Sequence, residues 1–198
     1  MSNIGKIPKG GLLTSNGTNN VILPAGTNSF VLTADSTQAN GVKWAAGGVS
    51  EYFSTYLSTP TANITGDGTL YGPIVFDTAA SGGSSNYSIS TGLYTAPATG
   101  WYSFQFVVCL NGGSVLTSQF IAYFYGSAFS IRAFQFTYPT GTSGTQIFSA
   151  STMISMTSAD TMGVRVLSSG AASKNIQVYG AAPTSGATTS TFSGFRIA

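Results

Sequence analysis

Residues 86–110 read NYSISTGLYTAPATGWYSFQFVVCL: a short strand, a Thr91-Gly92 turn, a second short strand, a turn through Ala96-Pro97 and Thr99-Gly100, then a long alternating run. From Tyr102 to Leu110 every even position is apolar: Tyr102, Phe104, Phe106, Val108 and Leu110. Side chains alternate faces along a strand, so this spacing predicts a central strand with one face fixed in a core. The odd positions, Trp101, Ser103, Gln105, Val107 and Cys109, are mixed and suit either solvent or a second buried contact.

The same pattern extends to both sides. Strand candidates fall at 51–57, 70–76, 87–89, 93–95, 101–110, 119–125, 131–138, 145–156, 162–167, 176–179 and 192–197. Links rich in Gly, Ser, Thr and Pro separate them, at 79–85, 139–144, 168–173 and 181–190 among others. No ten-residue segment carries a helical period. Many short strands joined by turn-rich links predict an all-β sandwich or jelly roll over residues 49–198.

Ahead of this head lie two further segments. Residues 1–11 are polar, punctuated by Gly and Pro, and carry Lys6 and Lys9; they read as an extended anchor tail ordered by a partner. Residues 12–48 form a stem of short apolar pieces at 12–13, 21–23, 30–32 and 42–44, between turn signals at Asn16-Gly17, Pro24-Ala25-Gly26 and Asn40-Gly41. None of these pieces can bury much alone, so the stem is expected to gain stability when copies pack side by side.

Composition narrows the function. The 198 residues allow one full domain and a small appendage. Charged residues make up 6% of the chain, against about 25% in an average soluble domain, and hydroxyls and amides fill the polar positions instead. A net charge of +2 without a basic run or stripe argues against nucleic acid and against anionic membranes. No apolar run approaches the ~18 residues of a membrane span, and the first residues lack the apolar core of a signal peptide. The lone Cys109 excludes an intrachain disulfide and reads as a packed, inert thiol.

Catalysis finds little material. The chain has no histidine, which removes a Ser-His-Asp triad and any His-bearing zinc site. Its five acids are Asp35, Glu51, Asp67, Asp77 and Asp160. A glycosidase needs two carboxyls across a cleft, and Asp67 and Asp77 are the nearest in sequence. Asp67, however, sits in the strong turn Thr-Gly-Asp-Gly-Thr, and Asp77 ends a strand, so both are expected to hydrogen-bond nearby backbone. Asp160 is expected to cap the turn into 162–167. No catalytic residue is assigned.

Two resemblances add to this reading. Leu23-Pro24-Ala25-Gly26, the Val-Leu-Thr-Ala-Asp-Ser run at 31–36 and Gly41-Val42-Lys43-Trp44 resemble a segment of phage and large-virus tail fibres and related bacterial surface proteins. In the head, Phe53-Ser54-Thr55-Tyr56-Leu57 resembles the first strand of C1q-like domains. The opening stretch resembles their Asn-Tyr, Thr-Gly, Tyr-Thr-Ala-Pro and Gly-x-Tyr-x-Phe series. The run at 159–166 is similar to their Gly-Asp-x-Val strand entrance, with Ala159 in place of the usual Gly, and Phe192-Ser193-Gly194-Phe195 to their closing strand.

The second resemblance implies a ten-stranded jelly roll of the C1q/tumour-necrosis-factor type, assembled as a homotrimer. Within it, Phe53, Tyr102, Phe104, Phe106, Phe192, Gly194 and Phe195 are the expected core and trimer residues. Phe195 and Ile197 are expected to interleave with the even face of the 101–110 strand, and Gly194 to admit a close neighbour. Apolar residues on both faces of 120–125, including Tyr123 and Tyr125, suggest a second buried face at a trimer axis. Some C1q-like trimers resemble calcium binders, which makes Asp67 and Asp77 the weak candidates for calcium; no other cofactor is expected.

The combined expectation is a non-enzymatic, homotrimeric virion spike or fibre protein. Residues 1–48 would attach it to a vertex, capsid or tail protein, and the head would meet a host-surface glycan or protein through apical loops. The alternatives are a bacterial cell-surface or matrix protein with the same head, and a polysaccharide-degrading spike whose carboxylates meet across subunits.

Overall fold

The computed structural model describes residues 6–28, 30–46, 51–80, 86–113, 117–127, 130–137, 144–181 and 189–197. The first residues of the expected anchor tail (1–5) and most of the expected links at 79–85, 139–144 and 181–190 lie outside the described residues. The chain divides into two compact units, Met1–Gly48 and Val49–Ala198.

The first unit contains two antiparallel hairpins. One pairs β1 (Leu12–Ser15) with β2 (Asn20–Leu23), and the other pairs β3 (Phe30–Ala34) with β4 (Val42–Ala46). Asn16 Oδ1 accepts from the Thr18 and Asn19 amides at 3.0 and 2.7 Å, closing the first turn through Gly17 at φ 87°. Trp44 Nε1 donates to the Pro24 carbonyl at 2.7 Å, and a Cβ on Gly26 would fall 2.6 Å from the Trp44 ring. The Leu-Pro-x-Gly and Gly-x-Lys-Trp pieces of the sequence therefore lock onto each other. Leu12, Leu13, Phe30, Val31 and Leu32 remain exposed.

The second unit is a sandwich of two sheets. The first has the order β13 (Gly144–Met156), β10 (Gly100–Gly113), β16 (Thr191–Arg196), β5 (Tyr52–Tyr56), β7 (Thr78–Ala79), with β15 (Gln177–Val178) also paired to β10. The second has the order β12 (Ser130–Thr137), β11 (Gln119–Gly126), β14 (Thr161–Ser169), β9 (Leu93–Thr95), β8 (Tyr87–Ser88), with β6 (Leu70–Tyr71) paired to β14. This is the all-β jelly roll expected from the sequence.

The core is aromatic. Tyr102, Phe104, Phe106, Val108 and Leu110 all face inward from β10, as their even phase requires. Phe53 stacks on Tyr87 at 4.9 Å and on Tyr94 at 5.0 Å between ring centroids, and meets Phe192 edge-on at 4.9 Å. Aromatic pairs in these geometries add to the stability that burial alone supplies. Burial raises the Tyr87 phenol to about 12, and its oxygen accepts the Phe76 amide at 3.2 Å.

Three expectations are corrected. The strand expected at 70–76 ends at Tyr71, because Gly72 takes φ 130° and Pro73 carries no amide proton for a ladder; Ile74 and Phe76 are buried as irregular backbone. Thr78, outside every expected element, and Ala79, expected in the link at 79–85, form a strand and pair with Tyr56 and Thr55. Phe195 and Ile197 do not interleave with the even face of β10: they are 45% and 44% exposed. Phe192 and Gly194 take the inward positions of β16, so the pleat turns Phe195 outward.

Candidate functional site

The outward face of the first sheet carries a row of exposed apolar side chains. The ladder aligns Met153 of β13 with Ser103 of β10, Ser103 with Phe195 of β16, and Phe195 with Tyr52 of β5. Met153, Phe195 and Tyr52 are 64%, 45% and 44% exposed, so one cross-strand row presents three large side chains to solvent. Trp101 and Ile197 extend it: both are exposed, and the Ile197 amide donates to the Trp101 carbonyl at 2.8 Å.

Polarity changes within one residue pair along the strands. The next row, Ser151, Gln105, Ser193 and Ser54, is wholly polar. Apolar side chains clustered at one end of a face, with a hydroxyl-rich region beside them, form the pattern of a protein–protein contact with a wetter margin. The odd face of the 101–110 strand supplies Trp101 and Ser103 to this arrangement.

Tyr123 and Tyr125 lie on the second sheet, facing away from the core, and both are half-buried. The Arg165 guanidinium sits 3.3 Å over the centre of the Tyr125 ring. Ile121, on the same face of β11, is buried within the chain itself. The outward apolar positions of β11 are thus buried or half-buried within the chain itself, and the exposed apolar row belongs to the other sheet.

Asp67 and Asp77 are both engaged at turns. Asp67 Oδ1 accepts the Thr69 amide at 3.0 Å, and the Thr69 hydroxyl and amide draw its carboxyl below the ordinary value. Asp77 accepts the Ser58 amide and hydroxyl, each at 2.8 Å, and the Thr78 hydroxyl at 3.0 Å. Burial pushes the Asp77 carboxyl up, and these hydrogen bonds outweigh it, leaving the group below the ordinary value. Among the described residues no three His, Cys, Asp or Glu side chains gather as metal ligands. Calcium takes six to eight oxygens, and an Asp77 with both oxygens already accepting fits that demand poorly.

Asp160 holds its turn through Thr157 N to Oδ2 at 2.8 Å and Ser127 Oγ to Oδ1 at 3.1 Å. Ala159 beside it adopts φ 72°, a conformation that favours glycine. Cys109 is fully buried, and burial pushes its thiol up, away from the thiolate that nucleophilic chemistry needs.

Sequence reasoning missed Met153, Tyr52 and Arg165. Met153 and Tyr52 stand out only after four strands are set in register, and Arg165 only after β14 is laid beside β11.

A family model described as the C1q domain matches residues 53–197 and leaves residues 1–52 unmatched. Similar solved structures include the globular domain of zebrafish complement 1qA protein, at 17% identity and a TM-score of 0.49, covering 75% of this chain and 98% of that one. Murine APRIL at pH 5.0 is similar at 10% identity and a TM-score of 0.46, covering 74% of this chain and 98% of that one. No curated protein sequence matches the chain.

Proposed function

The chain belongs to the C1q domain family, and we propose that it works as a non-enzymatic homotrimeric spike or fibre protein on a virion surface. Domains of this kind commonly self-associate as trimers. The observation that carries the reading is the exposed row of Met153, Phe195 and Tyr52 with Trp101 and Ile197, an apolar surface that a second copy would cover.

In this reading residues 1–11 anchor the protein to a vertex, capsid or tail protein, and the hairpins of residues 12–48 form a short stem. The exposed Leu12, Leu13, Phe30, Val31 and Leu32 of the stem suit packing against its own copies. The fibre-like pieces that include Pro24 and Trp44 support a virion setting, and the head would project towards a host-surface glycan or protein. Three heads on one stem would convert a weak contact into useful avidity. The hydrogen-bonded states of Asp67 and Asp77 favour a role without catalysis or calcium.

Imaging of purified particles with a labelled head, together with the solution mass of the full chain, tests the proposal. Label on particles at a copy number divisible by three is expected. Absence from particles with label on bacterial envelopes would instead select the cell-surface alternative.

A further inference from the structure

We propose that the outward face of the second sheet, centred on Arg165 and Tyr125, is a recognition platform for a single acidic sugar. The proposal rests on the adhesin reading above and gives it a ligand class and a location. The Arg165 guanidinium carbon lies over Tyr125, 3.3 Å from the ring centre. The loop before Ile74 presses on its stem: a Cβ on Gly72 would fall 2.8 Å from Arg165 Cγ. Stem and head group are thus both held, which lowers the entropy lost when a ligand binds.

Tyr123 of β11 is paired with Arg165 on one side and with Arg132 of β12 on the other. The chain has three arginines, and two of them hold the register positions on either side of Tyr123. The head as a whole is balanced, with Glu51, Asp67, Asp77 and Asp160 against Arg132, Arg165, Lys174 and Arg196.

The acids are held elsewhere. Glu51 accepts from Asn86 at 2.6 Å, and Asp67, Asp77 and Asp160 are committed to their turns. Among the described residues the ion pair present is Lys43 with Asp35, in the other unit. Arg165 has no carboxylate partner there, and its Nε–H is shielded from solvent without a hydrogen-bond acceptor.

A planar guanidinium stacked on a ring offers its terminal amines to a carboxylate or sulfate in two parallel hydrogen bonds. One arginine neutralises one anionic group, too few to hold a polyanion at physiological salt. A sugar bearing one acidic group matches that capacity. The exposed apolar row lies on the opposite sheet, so association through it leaves this platform facing outward.

The test is titration of the full-length protein with N-acetylneuraminic acid, glucuronic acid, galactose 6-sulfate and galactose, at low and physiological salt. The acidic sugars are expected to bind and galactose not, with affinity falling as salt rises; the carboxylate and sulfate arms identify the anion. Arg165→Gln should weaken binding about tenfold or more, with melting temperature and oligomer mass unchanged. Arg165→Lys keeps the charge and stem and should also weaken binding, because an ammonium cannot form the paired contact. Failure of every acidic sugar to bind overturns the proposal, as does binding that Arg165→Gln and Arg165→Lys leave intact. If host-cell attachment persists in either case, the adhesin reading stands and only the platform is lost.

Discussion

Gly194 of β16 lies directly against the ring of Phe104 of β10. The two are ladder partners, and a Cβ on Gly194 would fall 2.5 Å from Phe104 Cδ1 and 2.9 Å from Phe53 Cε1. Phe53 is the partner of Gly194 on the other side, so glycine here is a spacer between two enclosed aromatic rings. Gly194→Ala must push a ring off its packing position, and overfilling a core costs about 1–3 kcal/mol. A lower urea midpoint at unchanged slope is the expected result; an unchanged midpoint would contradict this packing.

Ala159 offers the opposite change. At φ 72° an alanine pays about 1–2 kcal/mol for the left-handed region. Glycine removes that strain but adds about 0.4–1 kcal/mol of unfolded-state freedom. The strain is the larger quantity, so Ala159→Gly should raise the melting temperature slightly, read by calorimetry. A fall would show that the turn around Asp160 relieves the alanine in some other way.

The apolar row should control association. Met153→Lys or Phe195→Asp places a charge among large apolar side chains, and light scattering should report a drop towards the mass of one chain. Ile89→Lys is the control: Ile89 is 55% exposed but lies on the turn after β8, away from the row. An unchanged mass in both row variants would move the contact to another face.

Acid should loosen the Ser58–Asp77 tether. The folded carboxyl lies below its ordinary value, so its contribution is present above the unfolded carboxylate range, about 3.9. It declines as pH falls and is lost once pH passes below the folded value. Asp77→Asn should therefore be less stable than the parent at neutral pH, with the gap narrowing steadily in acid. A gap of constant size down to the acid limit would remove the ionised form from the explanation.

Divalent metal should matter little. Calcium addition or chelation is expected to shift the melting temperature by less than about 1 °C, since a ligand that does not bind the folded state cannot stabilise it. A calcium-dependent rise abolished by Asp67→Asn would instead assign a site to the turn at residues 66–68.

What could be read from the sequence follows from what is local. The even phase of Tyr102 to Leu110 sets the inward face because side-chain direction along a strand depends only on position parity. Phe195 turns outward because parity outweighs aromatic character: Phe192 and Gly194 share one phase and Phe195 has the other. The family blocks around Phe53, Gly100 and Gly194 were legible as short ordered strings. The Met153–Ser103–Phe195–Tyr52 row was not, because it exists only after four separated strands are aligned. Arg165 over Tyr125 has the same character, since the two residues stand 40 positions apart in the sequence.

The place of β16 between β10 and β5 also orders events during synthesis. The bond from Thr55 Oγ1 to the Phe192 carbonyl joins positions 137 apart. Until β16 has left the ribosome, β5 and β10 have no strand to join them, and the inward faces of Phe53 and Phe104 lack their common neighbour. Such distant pairing slows folding, because chain closure must precede its reward. A nascent head therefore carries an open seam through most of its translation, and a message cut short before the codons of Thr191–Arg196 yields a chain whose first sheet cannot close.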